Sequence, residues 1–158
     1  MYCLVPAGSE HDGAFARVRK FDVHTGVDLY CNPGQEVTAV EDGVVVGIEI
    51  FTGPNAESPW WHETRAVLVE GDSGVVLYGE LQEYGNITVG TKLRTGDAIG
   101  QVVQVRREAR GKPMTMLHFE LYDHGVTKSV WWQHGEPKPP ALQDPTEKLI
   151  EAHLTVKK

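Results

Sequence analysis

A small all-β domain ending in one short helix is the fold class this sequence predicts, and three observations predict it. Residues 36–50 carry Val37, Val40, Val44, Val45, Val46, Ile48 and Ile50, a β-branched run interrupted by Glu41-Asp42-Gly43. Such side chains suit a pleated, half-buried surface better than a helix, where their χ1 freedom is lost. Residues 64–71 and 74–81 read as two strands joined by Asp72-Ser73, a connection short enough for an antiparallel hairpin. Residues 116–122 alternate strictly: Leu117, Phe119 and Leu121 fall on one face of a strand, and Met116, His118, Glu120 and Tyr122 on the other. At 158 residues there is material for one core and too little for two, so residues 1–158 are read as a single domain.

Taken in order, residues 1–20 hold Pro6, Gly8 and Gly13 among scattered charges and form an irregular lead-in that Phe15 and Val18 anchor. Gly26, between His24 and Asp28, supplies a bend. Two strands over 36–50 flank the turn at 41–43. Residues 52–62 form a loop of turn residues ending in Trp60-Trp61-His62. In the hairpin that follows, the period of two puts Tyr78 and Glu80 on one face. Residues 86–104 repeat short strands between glycine turns at Gly85-Asn86, Gly90 and Gly96. This swivel resembles lipoyl and biotinyl carriers, but no Met-Lys or Asp-Lys pair stands at a hairpin tip and Lys92 has a different context, so that reading falls away. Arg106 to Lys112 form a basic loop, either a solvated connection or a contact for an acidic substrate. Asp123-His124-Gly125 turns the chain toward Trp131-Trp132, and residues 136–140 are proline-stiffened. Asp144 as N-cap and Pro145 at the first position start a helix over 146–153.

Composition narrows the function. Fifteen Lys and Arg against 22 Asp and Glu leave a net charge of −7, and no cationic helix appears, which argues against a nucleic-acid partner. No apolar run is long enough to span a bilayer, and the first residues show neither the basic nor the apolar segment of an export signal. Two cysteines, Cys3 and Cys31, make no disulfide framework; a buried thiol at Cys31 is the default, with a Cys3–Cys31 bridge as the alternative.

The chemistry concentrates in His24-Thr-Gly-Val-Asp28 and in the 116–122 strand. Fully extended, His24 and Asp28 would stand roughly 13 Å apart at Cα; with the bend at Gly26 they can share an ion with His118. Two imidazoles and a carboxylate are a ligand set that Zn²⁺ accepts, and three protein ligands leave a fourth position open, as catalytic zinc sites do.

His24 to Leu29, Pro33 to Gly47, Tyr78-Gly-Glu-Leu81, Val89 to Gly100, Leu117-His-Phe-Glu-Leu121 and Gln143 to Leu149 together resemble, in order, the LytM or lysostaphin-like zinc metallopeptidases of family M23. The resemblance covers about residues 13–150. It implies a lysostaphin-like, duplicated-hybrid-motif fold in which an antiparallel sheet floors a groove walled by loops. It implies Zn²⁺ on His24, Asp28 and His118, cleavage of peptide bonds in peptidoglycan cross-links, and a cell-envelope or extracellular setting. This chain departs from the pattern at two non-ligand histidines of the family, whose places are held by Glu80 and Met116. Glu80 then becomes the candidate proton acceptor, or else a solvated carboxylate on a strand. Tyr78, His62, Trp61 and Met116 are candidate substrate contacts, although each tryptophan has the ordinary alternative of packing on the sheet. His124 reads as a turn residue. The rival function is a zinc-binding module without catalysis that holds a wall peptide or a partner protein in the same groove.

Overall fold

The structure, a computed structural model, describes residues 5, 6, 8 and 10–156. Its described strands are β1 (Val27–Tyr30), β2 (Glu36–Thr38), β3 (Gly43–Thr52), β4 (Thr64–Gly71), β5 (Gly74–Glu83), β6 (Lys92–Leu93), β7 (Ala98–Val102), β8 (Met116–Tyr122) and β9 (Leu142–Gln143), followed by α1 (Thr146–Val156). All pairings are antiparallel, and the sheet runs β1-β8-β5-β4-β3-β6, with β7 joining β2 to β5 and β9 lying along β8. The predicted class therefore holds: an antiparallel β domain with one C-terminal helix. No helix of the described residues is long and apolar enough to cross a membrane.

The hairpin β4–β5 is the centre, each strand apolar on both faces because both faces are covered. Val76 and Tyr78 pack with Val27, Val67, Val69, Ile99 and Phe119 on one side. Val75 and Leu77 pack with Ala66, Leu68, Tyr122 and Leu142 on the other. Leu149 brings α1 against the first cluster, a burial that contributes about 1.5–3 kcal/mol. The helix starts as its sequence dictates, with Asp144 Oδ1 accepting from the Thr146 amide at 2.9 Å, and it runs three residues beyond the expected end at His153.

Several expectations change. The two strands over 36–50 do not pair with each other; β2 goes to β7 and β3 to β4. The loop after β3 contains a short 3-10 turn, Pro54–Ala56. Phe15 anchors the lead-in, its ring 6.0 Å from that of Trp132, whereas Val18 is 57% exposed. Cys31 is half-buried just beyond β1; Cys3, and with it the bridge alternative, lies outside the described residues. Most consequentially, β5 carries a bulge: the register opposite β4 slips between Val67↔Tyr78 and Arg65↔Leu81. Glu80 within it has φ of 64°, a left-handed value uncommon outside glycine.

Candidate metal centre

His24 and Asp28 reach the same point because the lead-in folds against them. The Ala16 amide donates to the His24 carbonyl at 2.9 Å, and the Asp28 amide donates to the Gly13 carbonyl at 2.9 Å. Asp28 then enters β1 opposite His118 of β8, so strand pairing sets one ligand directly across from another. Gly26 does more than bend the chain. A Cβ there would lie 2.4 Å from the Phe119 carbonyl oxygen and 2.9 Å from both Glu120 Cγ and His118 Nε2. Only glycine permits this approach.

Three donor atoms converge. His24 Nε2 is 3.2 Å from Asp28 Oδ1 and 3.2 Å from His118 Nδ1, and His118 Nδ1 is 2.9 Å from Asp28 Oδ1. All three residues are buried. Ligands about 2.05 Å from a tetrahedral zinc stand about 3.3 Å from one another, so the donor set fits that ion with little adjustment. The remaining ring nitrogens are engaged elsewhere: His24 Nδ1 donates to the Ala14 carbonyl at 2.8 Å and His118 Nε2 donates to Glu120 Oε1 at 2.8 Å. In the neutral imidazoles that ligate a metal, each bond keeps the proton on the far nitrogen and leaves a lone pair facing the cluster.

The electrostatics agree. Burial raises the Asp28 carboxyl, but hydrogen bonds from His118 and His24 outweigh it and hold it well below the usual carboxylate range. Burial disfavours a charged His118, yet its bonds to Asp28 and Glu120 push it up to about 10. The carboxylates around His118 thus favour positive charge at this point.

Glu80 stands beside this cluster. It is 8% exposed, and among the described residues its buried Oε2 has no hydrogen-bond partner. Burial, then the charge of Asp28, pushes its carboxyl up to about 8, while the charges of His118, Arg19 and Arg106 act the other way. An unsatisfied buried carboxyl in a positive-φ bulge is costly, and such costs gather at functional positions.

The other predicted contacts separate. Met116 is buried at the start of β8, on the His118 face and opposite Tyr30 of β1. Tyr78 does not share a face with Glu80. The bulge breaks the period of two, and Tyr78 pairs with Phe119 in the opposite core, its hydroxyl accepting from the Val40 amide at 3.0 Å. Trp61 is half-buried and bridges to Arg106 through the backbone, while Trp60 beside it is 62% exposed. His62 is exposed, its amide held by the Val105 carbonyl, and among the described residues no hydrogen bond or ring contact links its imidazole to the cluster. His124 faces Glu70 at 3.8 Å, as befits a turn residue. The face of β8 reserved for chemistry is itself buried; Glu120 is 1% exposed. Sequence reasoning gave Glu120 no role, although its place two residues after His118 on the same face was the available signal.

Comparison with known proteins identifies the family and the fold. The family model described as peptidase family M23 matches residues 22–130. Among solved structures, lysostaphin in solution aligns with a TM-score of 0.56 at 22% identity over 82% of this chain and 44% of its own. LytU aligns with a TM-score of 0.57 at 18% identity over 96% of this chain and 87% of its own. The catalytic domain of the prophage-encoded M23 protein EnpA from Enterococcus faecalis gives 0.55 at 18% identity over 85% and 92%. At such identities the likeness concerns the fold, and this chain spans less than half the length of lysostaphin. No curated protein sequence matches the chain.

Proposed function

The chain belongs to peptidase family M23, and from that premise we propose that it is a zinc-dependent metalloendopeptidase that hydrolyses peptide bonds in peptidoglycan cross-links at the cell envelope or outside the cell. The observation that carries this reading is the triad: three buried donor atoms 2.9–3.2 Å apart, with the second nitrogen of each histidine already committed. Zinc held there would supply Lewis acidity toward a peptide carbonyl and lower the pKa of water.

The chain's own residues do the rest. Glu80 is the proposed proton acceptor: among the described residues its buried Oε2 has no hydrogen-bond partner to displace, and burial gives its carboxylate a higher proton affinity than a solvated one has. The bulge at Glu80 aims this side chain while Tyr78 stays in the core. Substrate contacts are proposed for Met116, Trp61 and His62, and no longer for Tyr78. A second reading, a zinc-binding module without catalysis, is favoured by Met116: where the family has a histidine, a thioether accepts only weakly and transfers no proton.

The test is zinc content together with mass spectrometry of peptidoglycan incubated with the purified protein, with and without chelator. Chelator-sensitive fragments support the peptidase. Stoichiometric zinc and bound but uncut wall peptide support the binding module, and absence of zinc removes both.

A further inference from the structure

The carboxylate behind His118 is built as a closed unit. Glu120 Oε1 accepts from His118 Nε2 at 2.8 Å and from Thr25 Oγ1 at 2.5 Å. Its Oε2 accepts from the Tyr122 hydroxyl, which in turn accepts from the Val130 amide at 3.2 Å. Glu120 is 1% exposed and Tyr122 is fully buried, so these donors, not water, solvate the charge. The donors to Glu120 come from the ligand loop at Thr25 and the ligand strand at His118 and Tyr122, and the Val130 amide in the segment that follows anchors the Tyr122 hydroxyl. The Phe51 ring lies 5.3 Å from that of His118 and restrains it further.

We propose that Glu120 is a positioning residue for the metal centre: it holds His118 in the tautomer that presents Nδ1 and adds a second buried negative charge that favours a divalent cation at His24, Asp28 and His118. A carboxylate fixed by three donors cannot swing out to compete for the ion, so it acts only through the imidazole. The negative charge of Glu120 also makes that imidazole a stronger donor to a cation. Two buried carboxylates, Asp28 and Glu120, around two imidazoles that are neutral when they ligate leave a charge that a divalent ion balances. Gly26 belongs to the same unit, because any side chain there would strike both Glu120 and His118. This inference rests on the zinc site proposed above.

The experiment measures zinc affinity of the full chain by competition with a chromophoric chelator, and the visible absorption of the cobalt-substituted protein. Glu120→Gln retains size and hydrogen bonding but removes the charge. Zinc binding roughly 10–100-fold weaker than wild type, with an altered cobalt spectrum, is the expected result. Tyr122→Phe and Thr25→Val keep the charge and each remove one donor, so each weakens zinc by less than Glu120→Gln does. A folded Glu120→Gln protein with wild-type zinc affinity and an unchanged cobalt spectrum overturns the inference. If Glu120→Gln does not fold, unchanged affinity in both donor variants overturns it, and weakened affinity in either upholds it. A wild-type protein that takes up no zinc overturns the site itself, an outcome distinct from loss in the variants alone.

Discussion

Two glutamates are buried around one cluster, and they are opposites. Glu120 lies in a regular strand with both oxygens satisfied by His118, Thr25 and Tyr122. Glu80, on the adjacent strand, sits in a positive-φ bulge with Oε2 unpartnered among the described residues. Burying a carboxylate is tolerable when donors replace water and costly when they do not. The saturated carboxylate is held still, which suits orienting a ligand. The unsatisfied one retains capacity for a proton, which suits chemistry. On the function proposed above, the contrast separates a role in holding the ion from a role in using it.

The largest effect that can break this comparison is loss of its common centre. His118→Ala removes a donor atom from the triad, and metal analysis should find the zinc gone; full stoichiometric metal would show that the site lies elsewhere. The wild-type protein, saturated to 100 times its dissociation constant, should gain about 2.7 kcal/mol, which calorimetry would record as a melting temperature roughly 5–10 °C higher. His118→Ala should show no such shift.

Glu80→Gln sharpens the contrast on the catalytic side. Removing a general base costs roughly 10²–10⁴ in turnover, so digestion of wall peptide should fall by that factor while zinc content stays at the wild-type level. Equal turnover would take Glu80 out of the mechanism. Glu80→Gly tests the strain itself: a glycine accepts φ of 64° freely and removes a buried carboxyl. The variant should be inactive yet about 1–2 kcal/mol more stable in urea unfolding; a less stable protein would mean that the side chain supports the fold. The smallest expected effect lies far from both glutamates. Asp144→Ala loses the cap on Thr146 and should cost about 1 kcal/mol, with zinc affinity and turnover unchanged.

Much of the site was legible in the chain because strand geometry is local. Alternation in 116–122 correctly separated Phe119 from His118, and the matched blocks brought into one reading His24, Asp28 and His118, whose donor atoms lie 2.9–3.2 Å apart. The cap at Asp144 was equally plain, since it concerns atoms two residues apart. Tyr78 and Glu80 show where local reasoning stops. Their spacing of two placed them together, but a bulge is one extra residue on one strand, and its position depends on how β5 registers against β4. Val18 was misplaced for a related reason: an apolar residue in a lead-in is buried only if another element covers it, and at 57% exposure it is not covered.

By itself, then, the sequence determined the strand-rich class, the C-terminal helix and its cap, and the residue types able to hold a divalent cation, because hydrophobic period, capping chemistry and donor identity are properties of short stretches. The tertiary structure decided which carboxylate became which. Thr25 and Glu120 stand 95 residues apart, and His118 and Asp28 stand 90 apart. Only closure of the sheet could supply one glutamate with donors to both oxygens and leave the other, among the described residues, with an oxygen unpaired.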